Sequence, residues 1–301
     1  MIGSPDHERL TSAALAPVLS MTPALRSRLA EWLAEDLGRG DLSSAALKGR
    51  RGHASWISKQ AGVFCGGTLV SELFGLLDPQ LTVQGLVEDG ATIAIGQRLL
   101  ELKGSAAALV AGERTALNLA MRLSGIATAT AALVAELEGS DVQLADTRKT
   151  TPGLRVLEKY AVRCGGGVNH RMGLDDAAML KENHIAWAGG ITAAIAAVRQ
   201  QAPWPARLIV EAETDAQATE AVQAGADGVL LDEFSPAQLK LLVPRLRQLA
   251  RDRQPGGAVV LEASGIQPSD LRAYAATGID LISTSAPVTR SRWLDLSMRF
   301  T

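Results

Sequence analysis

Leu25, Leu29, Trp32 and Leu33 recur at the spacing of one helical face behind Thr22-Pro23, a cap residue followed by proline where a missing N–H costs nothing. Gly38 supplies the stop, so a helix is predicted between them. From Gly52 to Lys103 the period shortens: His53 to Lys59, Leu81 to Val87 and Arg98 to Lys103 read as strands, with a helix near Thr68 to Leu77. This is the pattern of a compact α+β layer. A long helix, Ser105 to Leu123, leads out of it and is expected to break at Ser124-Gly125.

Beyond Gly125 the chain repeats. Short apolar runs at Val142–Ala145, Ala177–Leu180, Leu208–Val210, Val229–Leu231, Val259–Leu261 and Leu281–Ile282 alternate with amphipathic stretches such as Ile191–Arg199, Asp215–Ala224 and Pro236–Leu249. All-apolar strands alternating with helices imply a parallel sheet covered by helices, and this many units point to a closed α/β barrel. Polar residues follow each run: Asp146, Arg148 and Lys149; Lys181 to His184; Glu211 and Glu213; Asp232 and Glu233; Glu262 and Ser264; Ser283 to Ser285. In such a barrel the carboxyl ends of the strands converge on one mouth, so these groups should meet. A doubly wound open sheet would gather fewer of them, and no GxGxxG follows a strand.

Composition narrows the choice of partner. The 301 residues, 47% hydrophobic and 21% charged, suffice for one large domain and a smaller one. A formal net charge of -2 and a pI near 6.1 argue against a nucleic-acid coat. Two cysteines, Cys65 and Cys164, form no CxxC pair, which fits a reducing, cytoplasmic setting. The first twenty residues lack the features of an export signal and read as a loosely ordered extension; no stretch approaches about eighteen uninterrupted apolar residues, so no membrane span is expected.

Against that balance, the segment from DTRKTTPG at Asp146 to CGGGVNHR at Cys164 is basic: Arg148, Lys149, Arg155, Lys159, Arg163 and Arg171 stand against Asp146 and Glu158. Guanidinium forks match carboxylate or phosphate, so a small anionic ligand is expected at Arg148 and Lys149. Arg155, Lys159 and Arg163 read instead as the solvated face of a helix capped at Thr151-Pro152. The glycine triplet at Gly165 lets the chain turn and aim His170 and Arg171 at the mouth. Glu211 and Asp232, directly ending apolar runs, could hold Mg²⁺ or ribose hydroxyls, whereas Glu213 and Glu233 suit helix caps. The turns at Ser264-Gly265 and Ser283–Ser285 are candidates for phosphate. Arg114 sits on a partly apolar face with Val110, Leu117 and Met121, positioned either for an internal salt bridge or for another subunit.

ERTALNLAMRLSGIAT from Glu113, ADTRKTTPGLRVLEKYAVRCGGGVNHRMGLDD from Ala145, LKENHI from Leu180, GADGVLLDEF from Gly225 and LDLSMRF from Leu294 together resemble the quinolinate phosphoribosyltransferase family, from about Glu35 to the C-terminus. The resemblance implies an N-terminal α/β sandwich over 21–124, joined by 288–301, and an incomplete, TIM-like α/β barrel of six to seven parallel strands over 125–287. It implies conversion of quinolinate and phosphoribosyl pyrophosphate to nicotinate mononucleotide, pyrophosphate and CO₂ with Mg²⁺, in NAD synthesis. Carried over, Arg148, His170 and Arg171 would grip the quinolinate carboxylates, with Lys149 and Lys181 beside the substrate and the phosphoribosyl group. Glu211 and Asp232 would bind ribose hydroxyls and metal. Arg114 would complete the site of a neighbouring subunit in a homodimer or hexamer.

Two turns depart from the family pattern. Where Ser-Gly-Gly is usual, Ser264-Gly265 runs into Ile266; where Val-Gly is usual, Thr284-Ser285 stands, followed by Ala286-Pro287. Pro287 donates no N–H to a phosphate. The competing readings are a related pyrophosphorylase acting on another acid, such as the homologues associated with molybdenum uptake, and a phosphate-binding barrel without activity.

Overall fold

Thr22 Oγ1 accepts a hydrogen bond from the Leu25 N–H at 3.2 Å, and α1 (Pro23–Leu37) buries Leu25, Leu29 and Leu33 as its spacing predicts. In this computed structural model residues 17–253 and 257–301 are described, so the expectation for the N-terminal extension falls almost wholly outside them. The chain continues through β1 (Arg51–Ser58), β2 (Gly62–Val63), α2 (Gly67–Leu77), β3 (Thr82–Gly85), β4 (Thr92–Ile93), β5 (Arg98–Ser105) and α3 (Ala106–Ala135). It then alternates as β6 (Gln143–Ala145), α4 (Arg155–Cys164), β7 (Ala178–Leu180), α5 (Glu182–Ala188), α6 (Ile191–Gln201), β8 (Leu208–Ala212), α7 (Asp215–Gln223) and β9 (Gly228–Asp232). The remainder is α8 (Pro236–Asp252), β10 (Val260–Ser264), α9 (Leu271–Ala275), β11 (Leu281–Ser283), α10 (Ala286–Arg290) and β12 (Leu296–Phe300).

The first sheet runs β12-β1-β5-β3, with β1 antiparallel to both neighbours. Trp56 pairs with Met298 on one side and Leu100 on the other, and all are buried under α1, α2 and α3. The chain's last strand thus closes its first sheet. Leu157, Tyr160, Val162 and Cys164 of α4 join the same core, which binds the second half of the molecule to the first.

The expected break at Ser124-Gly125 does not occur; α3 runs on to Ala135. Both residues are buried contact points instead. Ser124 Oγ accepts from the Cys65 N–H at 2.9 Å and donates to the Cys65 carbonyl at 3.1 Å, while a Cβ at Gly125 would lie 2.1 Å from the Arg292 carbonyl. Glycine is there to admit a crossing backbone, not to end a helix. By length and composition α3 could span a membrane, but its first turns fill the sheet core and Leu133 and Val134 pack against the second core.

That second core lies within a parallel sheet of order β6-β11-β10-β9-β8-β7. A single parallel bridge from Ala145 to Val168 adds a seventh, one-residue member beside β6. Among the described residues no ladder joins this edge to β7, so the barrel is incomplete with six to seven strands, as the family resemblance implies, and not closed as the repeat alone suggests. The strands also run past the apolar runs: β8 includes Glu211, β9 includes Asp232 and β10 includes Glu262 and Ser264. Ser264 is the register partner of Asp232, and Ser283 of Ala145.

Candidate active site

At the carboxyl ends of the barrel strands lies a cleft of about 730 Å³. Arg148, Lys149, Arg155, Arg171, Lys181 and Arg290 line it against Glu211, Asp232, Glu233 and Glu262, with His170 between them. Cations outnumber carboxylates although the whole chain is slightly acidic. Low-dielectric walls concentrate such a field on a small anion.

The turn after β6 presents the first two cations. Thr147 Oγ1 accepts from the Lys149 N–H at 3.1 Å and the Arg148 carbonyl from the Thr150 N–H at 3.0 Å, which locks the turn through its own backbone. Neither Arg148 nor Lys149 has a side-chain partner among the described residues. Helix α4 starts at Arg155, later than the expected cap; Thr151 instead donates through its N–H and its hydroxyl to Glu158, each at 2.8 Å.

Lys159 corrects the expectation of a solvated helix face. It is fully buried and its ammonium meets Asp146, while also donating to the His170 carbonyl at 2.9 Å. Asp146 in turn accepts from the Asn169 amide at 2.6 Å and the His170 N–H at 2.8 Å. Burial pushes the Asp146 carboxyl up and the Lys159 ammonium down, and their mutual attraction opposes both shifts. Arg155 is also engaged, donating to Thr150 Oγ1 at 3.0 Å and to the Met172 carbonyl at 3.1 Å, so it joins the two basic turns. Of the three residues, only Arg163 is exposed as expected.

The glycine triplet makes both a turn and a close approach. Gly166 has φ 87°, and a Cβ at Gly165 would lie 2.4 Å from the Ala127 carbonyl on α3. Beyond it, His170 Nδ1 accepts from the Arg171 N–H at 2.8 Å, which assigns the proton to Nε2; that nitrogen donates to Glu262 Oε2 at 3.1 Å. Arg171 donates to the Ala177 carbonyl at 2.9 Å, and burial followed by the Arg148 charge lowers its pKa. The nearby Asp176 carboxylate offsets part of that repulsion.

Opposite them, Lys181 pairs with Glu211, and the Ser264 hydroxyl donates to Asp232. Thr214 and Ser235 cap the helices that Glu213 and Glu233 were expected to cap. Glu233 takes a left-handed φ of 58° instead and faces Gly265. In the last turn the Ala286 N–H is taken by Thr284 Oγ1 at 3.1 Å and Pro287 has none, so the turn lines the cleft through Ser283, Thr284, Ser285 and Arg290.

Comparison with known proteins decides the family. The description "Quinolinate phosphoribosyl transferase, C-terminal domain" matches residues 126–299, and its N-terminal counterpart matches 41–124. The chain belongs to the quinolinate phosphoribosyltransferase family. It is 44% identical over 273 residues to a probable nicotinate-nucleotide pyrophosphorylase [carboxylating] of Synechocystis, covering 90% of each chain. To the Bacillus subtilis protein of the same name it is 41% identical over 280 residues, covering 92% of this chain and 93% of that one. The crystal structure of NadC from Streptococcus pyogenes superposes with a TM-score of 0.86 at 37% identity, over 94% of this chain and 99% of that one.

Within this phosphoribosyltransferase, the cleft brings together Arg148, Lys149, His170, Arg171, Lys181, Glu211, Asp232, Ser264, Gly265 and Ser285. Arg114 is not among them. It lies exposed in a separate depression of about 580 Å³ with Trp32, Asn118, Leu119, Arg122 and Trp293, and makes no ion pair among the described residues. Four charged cleft residues escaped the candidate set, among them Glu233, which read as a helix cap. Arg155 looked like a surface residue, Arg290 carries no signal that separates it from Arg292, and Glu262, 3% exposed with Oε1 unpartnered, was visible only as an acid after an apolar run.

Proposed function

We propose that this family member transfers the phosphoribosyl group of phosphoribosyl pyrophosphate to quinolinate, giving nicotinate mononucleotide, pyrophosphate and CO₂ in NAD synthesis. The observation that carries this is one cleft holding Arg148, Lys149, His170 and Arg171, two of its cations free of protein partners. Quinolinate is a pyridine with two adjacent carboxylates, and the free fork of Arg148 and the remaining donors of Arg171 suit them.

Two anionic substrates repel each other, and the first task of the cleft is to hold them in reach. Leaving of pyrophosphate gives the ribose C1 oxocarbenium character, which the carboxylates Glu211 and Asp232 would stabilise while Lys149 and Lys181 face the departing charge. The pyridine nitrogen attacks C1. Its resulting positive charge stabilises the electron pair left on C2 as the adjacent carboxylate leaves as CO₂, and that carbon then takes a proton from water, so no general base is required.

Magnesium, implied by the family, would neutralise charge on the phosphates. Among the described residues no group of three or more His, Cys, Asp or Glu gathers as a ligand set. Glu211 and Asp232 fit a magnesium that arrives on phosphate oxygens and keeps its waters, since such ions need only one or two carboxylates. A homodimer or larger assembly, with Arg114 offered to the neighbouring cleft, fits the exposed and unpaired state of that residue; a cytoplasmic setting fits its two unbridged thiols.

The deciding experiment is turnover of quinolinate against nicotinate with phosphoribosyl pyrophosphate, read as CO₂ and pyrophosphate release. Turnover of quinolinate alone is expected. Turnover of nicotinate alone would point to the related pyrophosphorylases acting on other acids, and ligand binding without CO₂ release to a non-catalytic barrel.

A further inference from the structure

Arg122 and Glu158 lie outside the cleft, yet their hydrogen bonds end on the two turns that carry its cations. Glu158, on α4, is fully buried, and Arg122, on α3, is 16% exposed. Arg122 reaches Glu158 Oε1 through Nε at 3.2 Å and Nη2 at 2.8 Å. The same carboxylate receives Thr151, whose N–H donates to Oε2 and whose hydroxyl donates to Oε1, each at 2.8 Å; Thr151 follows Lys149 by two positions. On its other side Arg122 donates to the Val288 carbonyl at 2.5 Å and to Ser291 Oγ at 3.3 Å, bracketing Arg290.

The two turns so joined are spatial neighbours, because β6 and β11 pair in parallel with Ser283 opposite Ala145. Strand pairing fixes them only at their base. Beyond it the strands end, and the Arg122–Glu158 pair is a second tie, placed where each turn has left the sheet. This pair directs its remaining donors and acceptors outward, to Thr151 in the turn before α4 and to the Val288 carbonyl, one of the orphan groups in the last turn of α10.

We propose that Arg122 and Glu158 act as a clamp, setting the distance between the Arg148-Lys149 turn and the Ser285–Arg290 turn, and so between the bound dicarboxylate and the phosphate-bearing substrate. The inference rests on the function proposed above. Arg122, Glu158 and Thr151 are positioning residues: they touch neither substrate. Loosening the clamp leaves each turn able to bind its own anion but misaligns the pyridine nitrogen with the ribose carbon.

Steady-state kinetics of Thr151→Val, Arg122→Lys and Glu158→Gln test this. Thr151 is exposed, so Thr151→Val keeps the fold even where a buried substitution does not. In Thr151→Val and Arg122→Lys, kcat is expected to fall about tenfold to a hundredfold, the cost of a misplacement near 1 Å, while KM for each substrate stays within about threefold. Thr151→Val/Arg122→Lys should be no slower than about threefold below the worse single variant, since both release one device. A folded Thr151→Val with kcat within about twofold of wild type overturns the clamp, as does a loss confined to KM or losses that multiply in the double variant. Wild-type turnover is the separate control on the underlying reading: its absence removes both, whereas wild-type turnover with unaltered variants removes the clamp alone.

Discussion

Lys159 is buried against Asp146 in the wall behind the cleft, thirteen positions apart in sequence and joined by an ion pair that also holds the His170 backbone. The pair carries no charge into the cleft; it sets the course of the chain from which His170 and Arg171 project. Lys159→Met should therefore strand a buried carboxylate and lower unfolding free energy by about 3–5 kcal/mol, measured by urea denaturation at neutral pH. A variant as stable as wild type would mean that the carboxylate finds water or another donor there.

Arg148 has no protein partner, so its charge is free for a ligand. Arg148→Ala should lower kcat/KM for quinolinate on the order of 10²-fold or more, as removal of a bidentate carboxylate contact does. Because Arg148 supports no other side chain, thermal stability should stay near that of wild type. An unchanged kcat/KM would take Arg148 out of substrate binding.

Arg114 stands exposed on α3, in a depression separate from the cleft. If it completes the cleft of a second copy, Arg114→Ala and Arg148→Ala should each be inactive alone, whereas mixed and exchanged subunits recover about a quarter of wild-type activity per site in a dimer, the statistical share of intact sites. Proven exchange without recovery would confine each site to one chain.

Much of this site was legible because barrel topology turns sequence adjacency into spatial convergence: a polar residue after an apolar run must face the mouth. Lys181, Glu211 and Asp232 could be placed on that rule alone, whereas Asp146 breaks it by turning behind the cleft to meet Lys159. What escaped was decided by contacts between distant segments. Lys159 follows Arg155 by one helical turn and looks like a continuing surface stripe, yet Asp146 draws it inward. Ser124-Gly125 carries the composition of a helix break, but that composition answers to the Cys65 and Arg292 backbones packed against it, which no local pattern discloses. Arg290 was invisible for the same reason: its place depends on β11 pairing with β6.

Ser55 and Glu101 are register partners in the first sheet, and Glu101 accepts from the Ser55 hydroxyl at 2.9 Å and pairs with His53 at 2.5 Å. Burial pushes the Glu101 carboxyl up, but the bonds from Ser55 and His53 and the charges of His53 and Arg98 outweigh it and hold the group below its ordinary 4.5. A depressed carboxyl stabilises the fold above its unfolded pKa and loses that contribution as pH falls through the folded pKa. Melting temperature should accordingly decline on acidification below about pH 4.5, and Glu101→Gln should flatten that limb while leaving other regions of the profile in place. Identical acid limbs would show that other carboxylates control the decline.

Cys65 and Cys164 face each other within the first core, where α4 packs into it, with their sulfurs 3.5 Å apart, too far for a bond of about 2.05 Å. Burial raises the Cys65 thiol well above its ordinary pKa, and the hydrogen bond to Cys164 adds to the shift. Since both sulfurs are buried, both groups should resist an aromatic disulfide reagent at pH 8 in the native protein and titrate as two thiols in denaturant. Labelling of the folded protein should then proceed no faster than opening of the junction between α4 and the first sheet, and stabilisation by quinolinate should slow it. Rapid labelling of a native sample would place at least one sulfur at the surface and dissolve the close packing of α4 on that core.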